Sequence, residues 1–121
     1  MKPVVDDFTV KEFRKDVKKL CKKYKHLEGD LKRALKVLKA EPVNESRAPQ
    51  VAHLGKDVRI PVYKLKKFRS LDFGGKGAKS GFRLVYAYDS EKNEITLIEL
   101  YHKNKKEKED RDRILRYFEE K

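Results

Sequence analysis

Gly81 to Asp89 reads GFRLVYAYD and Glu94 to His102 reads EITLIELYH. In the first run Phe82, Leu84, Tyr86 and Tyr88 fall on one face and Arg83, Val85 and Ala87 on the other, the two-residue period of a strand. The second run is rich in β-branched and aromatic residues, and the turn formers Asp89-Ser90-Glu91-Lys92-Asn93 separate the two, so an antiparallel hairpin is predicted. Upstream, Val58 to Phe68 has similar β propensity, but Pro61 confines that end to a sheet edge or a bulge. Downstream, every residue from Lys105 to Arg113 is charged. Only then do Ile114, Leu115 and Phe118 supply the apolar edge of a last helix, for which the charged run would form solvated first turns.

The period before residue 42 is helical instead. Thr9 and Glu12 have capping-box spacing. From there Phe13, Val17, Leu20, Cys21 and Tyr24 make one apolar stripe, with Arg14, Lys15, Lys18, Lys19, Lys22 and Lys23 around it. His26-Leu27-Glu28-Gly29 interrupts the pattern, Asp30 is placed to cap a second helix, and Leu31, Ala34, Leu35 and Leu38 carry the stripe on until Pro42 stops it. Pro3 to Phe8 suits a brief edge strand before the first helix. Residues 43–57 read as a long connection with a short strand at Val51 to Leu54. The expected architecture is α+β, with an N-terminal helical hairpin on a small, mainly antiparallel sheet and a C-terminal helix. It forms one domain over residues 1–121, with no internal repeat or linker.

The chain has 121 residues, 43% of them charged and 38% apolar, which gives a thin core under a charged shell. Its net charge of +12 points to a polyanionic partner such as nucleic acid, an anionic membrane or an acidic protein. No apolar run approaches the roughly 18 residues that span a bilayer, and MKPVVDDF lacks the pattern of a signal peptide, so a cytoplasmic protein without membrane contact is expected. A lone Cys21 excludes an internal disulfide. His26, His53 and His102 stand at no ligand spacing, so neither a metal nor another cofactor is called for. Neither a Walker loop nor a dinucleotide-binding glycine motif occurs.

The positive charge is concentrated. Residues 1–42 carry thirteen Lys and Arg against seven acids, and residues 62–83 carry Lys64, Lys66, Lys67, Arg69, Lys76, Lys79 and Arg83 against Asp72 alone. The helical excess suits a solvated face as well as a binding one. In the strand region Lys64 and Lys66 share a face. The loop Ser70 to Gly81 sets Gly74, Gly75, Gly77 and Gly81 around Lys76 and Lys79, a composition that permits close approach to phosphates or simply a flexible, solvated loop.

GGKGAKSGFRLVYAYD followed by ITLIELYHK resembles the RelE-like toxins of bacterial and archaeal toxin–antitoxin modules, the HigB branch above all. Lys64, Gly75-Lys76-Gly77, Gly81, Arg83, Tyr86 and Lys103 occur in the order of that family's basic strand, glycine loop and following strands, and Lys23-Tyr24, Asp30 and Pro42 match its helical half. The resemblance implies a small sheet with helices on one side and a basic concave surface that cleaves messenger RNA in the ribosomal A site, without metal, under control of a cognate antitoxin.

Such cleavage needs the 2′-hydroxyl deprotonated, the phosphorane stabilised by cations and the 5′-oxygen protonated. Arg83 matches the strand arginine on the scissile phosphate, the alternative being an exposed strand arginine that pairs with a carboxylate such as Glu99. Lys64 and Lys66 resemble the strand lysines, where a lysine whose pKa is lowered by cationic neighbours could serve as base or as electrostatic clamp. Lys103 stands where relatives carry arginine, and His102 is a general acid or base, or a structural strand-end histidine. Lys67, Arg69, Lys76 and Lys79 are candidate RNA contacts. Some relatives use a tyrosine after the last strand to stack on the substrate base or assist proton transfer; the charged stretch here has none, and Tyr101 or Tyr117 could substitute. Two alternatives remain: a ParE-like gyrase inhibitor, which would generally lack the basic set, and a non-catalytic RNA-binding module.

Overall fold

The computed structural model describes residues 3–6, 10–56, 58–73 and 80–119. Strand β1 (Val4–Asp6) leads to helices α1 (Lys11–Lys23) and α2 (Leu27–Ala40), then to β2 (Val62–Leu65), β3 (Phe82–Asp89), β4 (Glu94–His102) and α3 (Arg111–Glu119). The protein is α+β, with three α-helices and one mixed four-stranded sheet among the described residues, ordered β1-β4-β3-β2. β2–β3 and β3–β4 are antiparallel, and β1 runs parallel to β4.

The β3–β4 hairpin follows the alternation in its sequence, with Arg83 opposite Tyr101 and Tyr88 opposite Ile95. Between Val85 and Tyr86 the register shifts, because Val85 faces Glu99 while Tyr86 faces Leu97. Ile98 is the extra residue of a bulge, which sharpens the local twist. Both sheet faces are buried here: Leu84 and Tyr86 on one, Val85 on the other. The helical hairpin covers the first face. Tyr24 packs edge-on to Phe82 at 5.0 Å, and the Tyr86 hydroxyl donates to the Pro42 carbonyl at 2.7 Å, just past the end of α2. The second face lies under α3 and the segment before it, where the Tyr117 hydroxyl meets Thr96 Oγ1 at 3.4 Å.

Several local expectations are corrected. α1 begins at Lys11 with no side-chain cap on Val10; Thr9 lies outside the described residues, and Glu12 pairs with Arg113 and Arg116 of α3. Asp30 does not cap α2, which already starts at Leu27; it is buried inside the first turn and accepts the Leu71 N–H at 3.0 Å and Arg33 Nη1 at 3.2 Å. Leu71 opens a 3₁₀ turn (Leu71–Phe73), whose Asp72 in turn accepts the His26 N–H at 3.2 Å, so helix start and turn interlock. No strand forms at Val51 to Leu54. Strand-like bonding falls earlier, on the outer edge of β2: Lys66 N–H to the Arg47 carbonyl, Lys64 N–H to that of Pro49 and Val51 N–H to that of Val62. This strip closes the sheet edge that Pro61, just ahead of β2, could not itself extend.

The run Lys105 to Asp110 is not helical, and α3 starts only at Arg111. Asp110 Oδ1 accepts the Arg113 N–H at 3.0 Å as an N-cap, and its own N–H is held by Glu99 Oε1 at 2.7 Å. On the far side β1 covers only Glu94 to Thr96 of β4. Beyond it, Asp16 of α1 accepts the Leu100 N–H at 3.0 Å. Arg113 donates both to Asp16 at 2.6 Å and to the Ile98 carbonyl at 3.0 Å. One clasp therefore fastens α1, β4 and α3 and satisfies a strand edge.

Candidate functional site

Register sets the site. Lys64 lies opposite Val85, which lies opposite Glu99, so these three share the sheet face turned to α3, and Arg83 and Tyr101 continue that face by one pair. Lys66 follows β2 with its side chain exposed, and its carbonyl accepts Arg83 Nη1 at 3.3 Å. Lys64, Lys66 and Arg111 line one cavity of about 210 Å³, roofed by Pro49 to Ala52 of the strip along β2. Arg111, at the first turn of α3, is held in place by the carbonyls of Ala52 at 2.9 Å and His53 at 3.2 Å.

Glu109 also lines this cavity. Its side chain is only 6% exposed, with Oε1 2.8 Å from Lys64 Nζ and Oε2 3.5 Å from Arg111 Nε. Burial alone would push its carboxyl up, but the hydrogen bond and charge of Lys64, with Arg111 behind them, hold it below the usual carboxylate range. Lys64 therefore has a carboxylate as its closest charged neighbour, with the cations Lys66 and Arg111 on the same cavity. The sequence singled out neither Glu109 nor Arg111. Both sit within nine consecutive charged residues, where spacing carries no signal; only the turn that folds the run back over the sheet distinguishes them.

His102 stands on the opposite face, toward the helical hairpin. It is 3% exposed, its Nε2 is 2.8 Å from the Ser80 carbonyl, and its Nδ1 accepts the Asn104 N–H at 3.2 Å. Those partners fix the neutral tautomer with the proton on Nε2. Burial, aided by the nearby charges of Arg83, Lys103 and Lys23, lowers its pKa despite the Ser80 bond. The ring stacks near Tyr24 and meets Phe82 edge-on at 4.9 Å. These contacts fit the structural alternative considered for His102, a strand-end histidine that packs between sheet and helices. Gly81, grouped above with a phosphate-binding loop, is part of the same device: at φ +88° its Cα passes the imidazole so closely that a Cβ would lie 2.7 Å from it.

Tyr101 is on the basic face but only 6% exposed, and Lys106 Nζ lies 5.2 Å above its ring, so the ring is covered and not presented for stacking on a base. Burial, with Glu109 and Glu99 nearby, raises its hydroxyl well above the usual phenol range. Tyr117 is half-buried against Phe118. Glu99, the alternative partner weighed for Arg83, is bonded to Lys106 and to the Asp110 N–H. Lys67, Arg69 and Lys103 are exposed, the first two continuing from Lys66. Lys76 and Lys79 fall outside the described residues.

Among the described residues no group of three or more His, Cys, Asp and Glu is arranged to hold a metal ion, and no helix is long and apolar enough to cross a membrane. No protein-family model, curated protein or solved structure matches the chain.

Proposed function

We propose that the protein is the toxin of a RelE-like toxin–antitoxin pair: a cytoplasmic, metal-independent endoribonuclease that cuts messenger RNA in the ribosomal A site and is neutralised by a co-encoded antitoxin. One observation carries the reading. Lys64, Lys66 and Arg111 converge on a single cavity, and Arg83 is bonded to the carbonyl of Lys66 at its side. Several cations beside one cleft suit a phosphodiester whose charge grows as it approaches the phosphorane. The element order supports the same reading: a helical hairpin, a basic edge strand, a strand hairpin and a terminal helix are what the family resemblance implies. A ParE-like gyrase inhibitor would have no use for this set of cations.

A non-catalytic RNA-binding module is the second reading, and it is favoured by the burial of His102 on the wrong face with both ring nitrogens engaged. Substitution separates the two. Arg83→Ala, at a half-exposed strand position, is expected to leave the fold intact while cutting cleavage of ribosome-bound transcripts by about 10²- to 10³-fold. A folded variant that arrests growth as the parent does would remove Arg83 from the site.

A further inference from the structure

A carboxylate stands inside the cationic cleft, where phosphate binding alone would call for none. Two glutamates are buried among the described residues, and they are used differently. Glu99 is committed to Lys106 and the backbone ahead of α3. Glu109 instead faces the cavity, with Lys64 on one oxygen at 2.8 Å, Arg111 on the other at 3.5 Å, and Lys66 across the same space. An ion pair needed only to fasten α3 would not have to open onto a cavity, and the Asp16–Arg113 clasp already fastens that helix.

Resting on the ribonuclease reading above, we propose that Glu109 is the catalytic proton acceptor for the attacking 2′-hydroxyl, with Lys64 and Arg111 as the groups that orient it and hand over to the phosphate. An entering phosphodiester competes for these two cations. As they turn to it, their hold on Glu109 weakens and the carboxylate becomes a stronger base at the moment a base is required. The 2′-hydroxyl proton passes to a Glu109 oxygen as the 2′-oxygen bonds to phosphorus. The bond from phosphorus to the 5′-oxygen breaks, and that oxygen takes a proton from the Lys66 ammonium. The products are a 2′,3′-cyclic phosphate and a 5′-hydroxyl end, and transfer of a proton from Glu109 to Lys66 through solvent restores both groups. Besides Lys64, Lys66 and Arg111, the titratable and charged groups around Glu109 among the described residues include Tyr101 of β4 and the groups that act on that ring, Glu99, Arg83 and Lys106.

The test uses the full chain on ribosomes programmed with a defined transcript, with single-turnover cleavage, RNA affinity and thermal melting measured for the parent, Glu109→Gln and Glu109→Asp. Glu109→Gln is expected to lose about 10²- to 10³-fold in cleavage rate while binding RNA as tightly as the parent or tighter, since one negative charge has left a cationic cleft. Glu109→Asp should retain more activity than the glutamine variant. The parent rate should be level across about pH 6 to 7, where a carboxylate is already wholly in its basic form and an imidazole is still losing its proton. Cleavage by folded Glu109→Gln within about twofold of the parent overturns the assignment. So does a parent profile that rises through about pH 6.5, which needs no variant to fold. Either result leaves the ribonuclease reading standing, whereas a parent that binds RNA and never cuts it overturns both.

Discussion

Gly81→Ala should be among the most damaging single-methyl changes in the protein, for two separable reasons. Gly81 sits at φ +88°, in the left-handed region, where an L side chain costs roughly 1–2 kcal/mol. The added Cβ would also meet His102 Cε1 and Nε2 at 2.7 Å, and this ring cannot swing aside without losing the Ser80 carbonyl and the Asn104 N–H. Forced overpacking of that kind costs roughly 1–3 kcal/mol, so the total is about 2–5 kcal/mol. At about 4 °C per kcal/mol for a domain of this size, melting should fall by about 8–20 °C, read by circular dichroism or a urea titration. A double-mutant cycle isolates the clash. In a His102→Ala background the clash with the imidazole is gone and only the 3.2 Å approach to the flexible Lys103 side chain remains, so Gly81→Ala should cost little beyond the backbone part, about 1–2 kcal/mol. A Gly81→Ala protein within about 0.5 kcal/mol of the parent, or a cycle with no coupling, would refute the reasoning.

Two further stability predictions come from polar groups taken out of water. Asp16→Ala strips the Leu100 N–H and Arg113 of their shared acceptor, and about 2–4 kcal/mol should be lost in chemical denaturation, with Asp16→Ala/Arg113→Ala costing less than the sum of the single changes. His102, whose folded pKa is lowered chiefly by burial, refuses a proton that the unfolded chain accepts. Stability should therefore fall as pH drops from about 6.5 toward the lowered folded value, and His102→Phe should flatten the dependence in that window; an unchanged slope would contradict the neutral, buried assignment.

Legibility in the sequence followed the range of the interaction. The β3–β4 pairing, the apolar stripe from Phe13 to Tyr24 and the stop at Pro42 are local, set by periodicity and one special residue, and could be read directly. The bulge at Ile98 could not, because alternation within β3 is unbroken on both sides of it and only the partner strand carries the extra residue. Asp30 has the composition of a cap yet receives the N–H of Leu71, forty-one residues away, a use that no local pattern encodes. The candidate site divides in the same way. Strand period and local charge put Lys64 and Lys66 on one face, while Arg83 was singled out only through the family resemblance. Glu109 and Arg111 were hidden in a uniformly charged run, and His102 stayed open between an acid–base and a structural role because a histidine at a strand end looks the same from either face. The bulge makes face counting from the start of β4 unsafe by one residue, which is enough to reverse such an assignment.

The most direct test of the central claim is to map transcript ends on ribosomes exposed to the purified full chain and to its Arg83→Ala form. If the cationic cleft is a ribonuclease site, the parent generates new 5′-hydroxyl ends at A-site codons, and Arg83→Ala yields them about 10²- to 10³-fold more slowly while its melting temperature is unchanged. Transcripts that remain intact while the parent stays bound to them, or equal cleavage by both proteins, would contradict it.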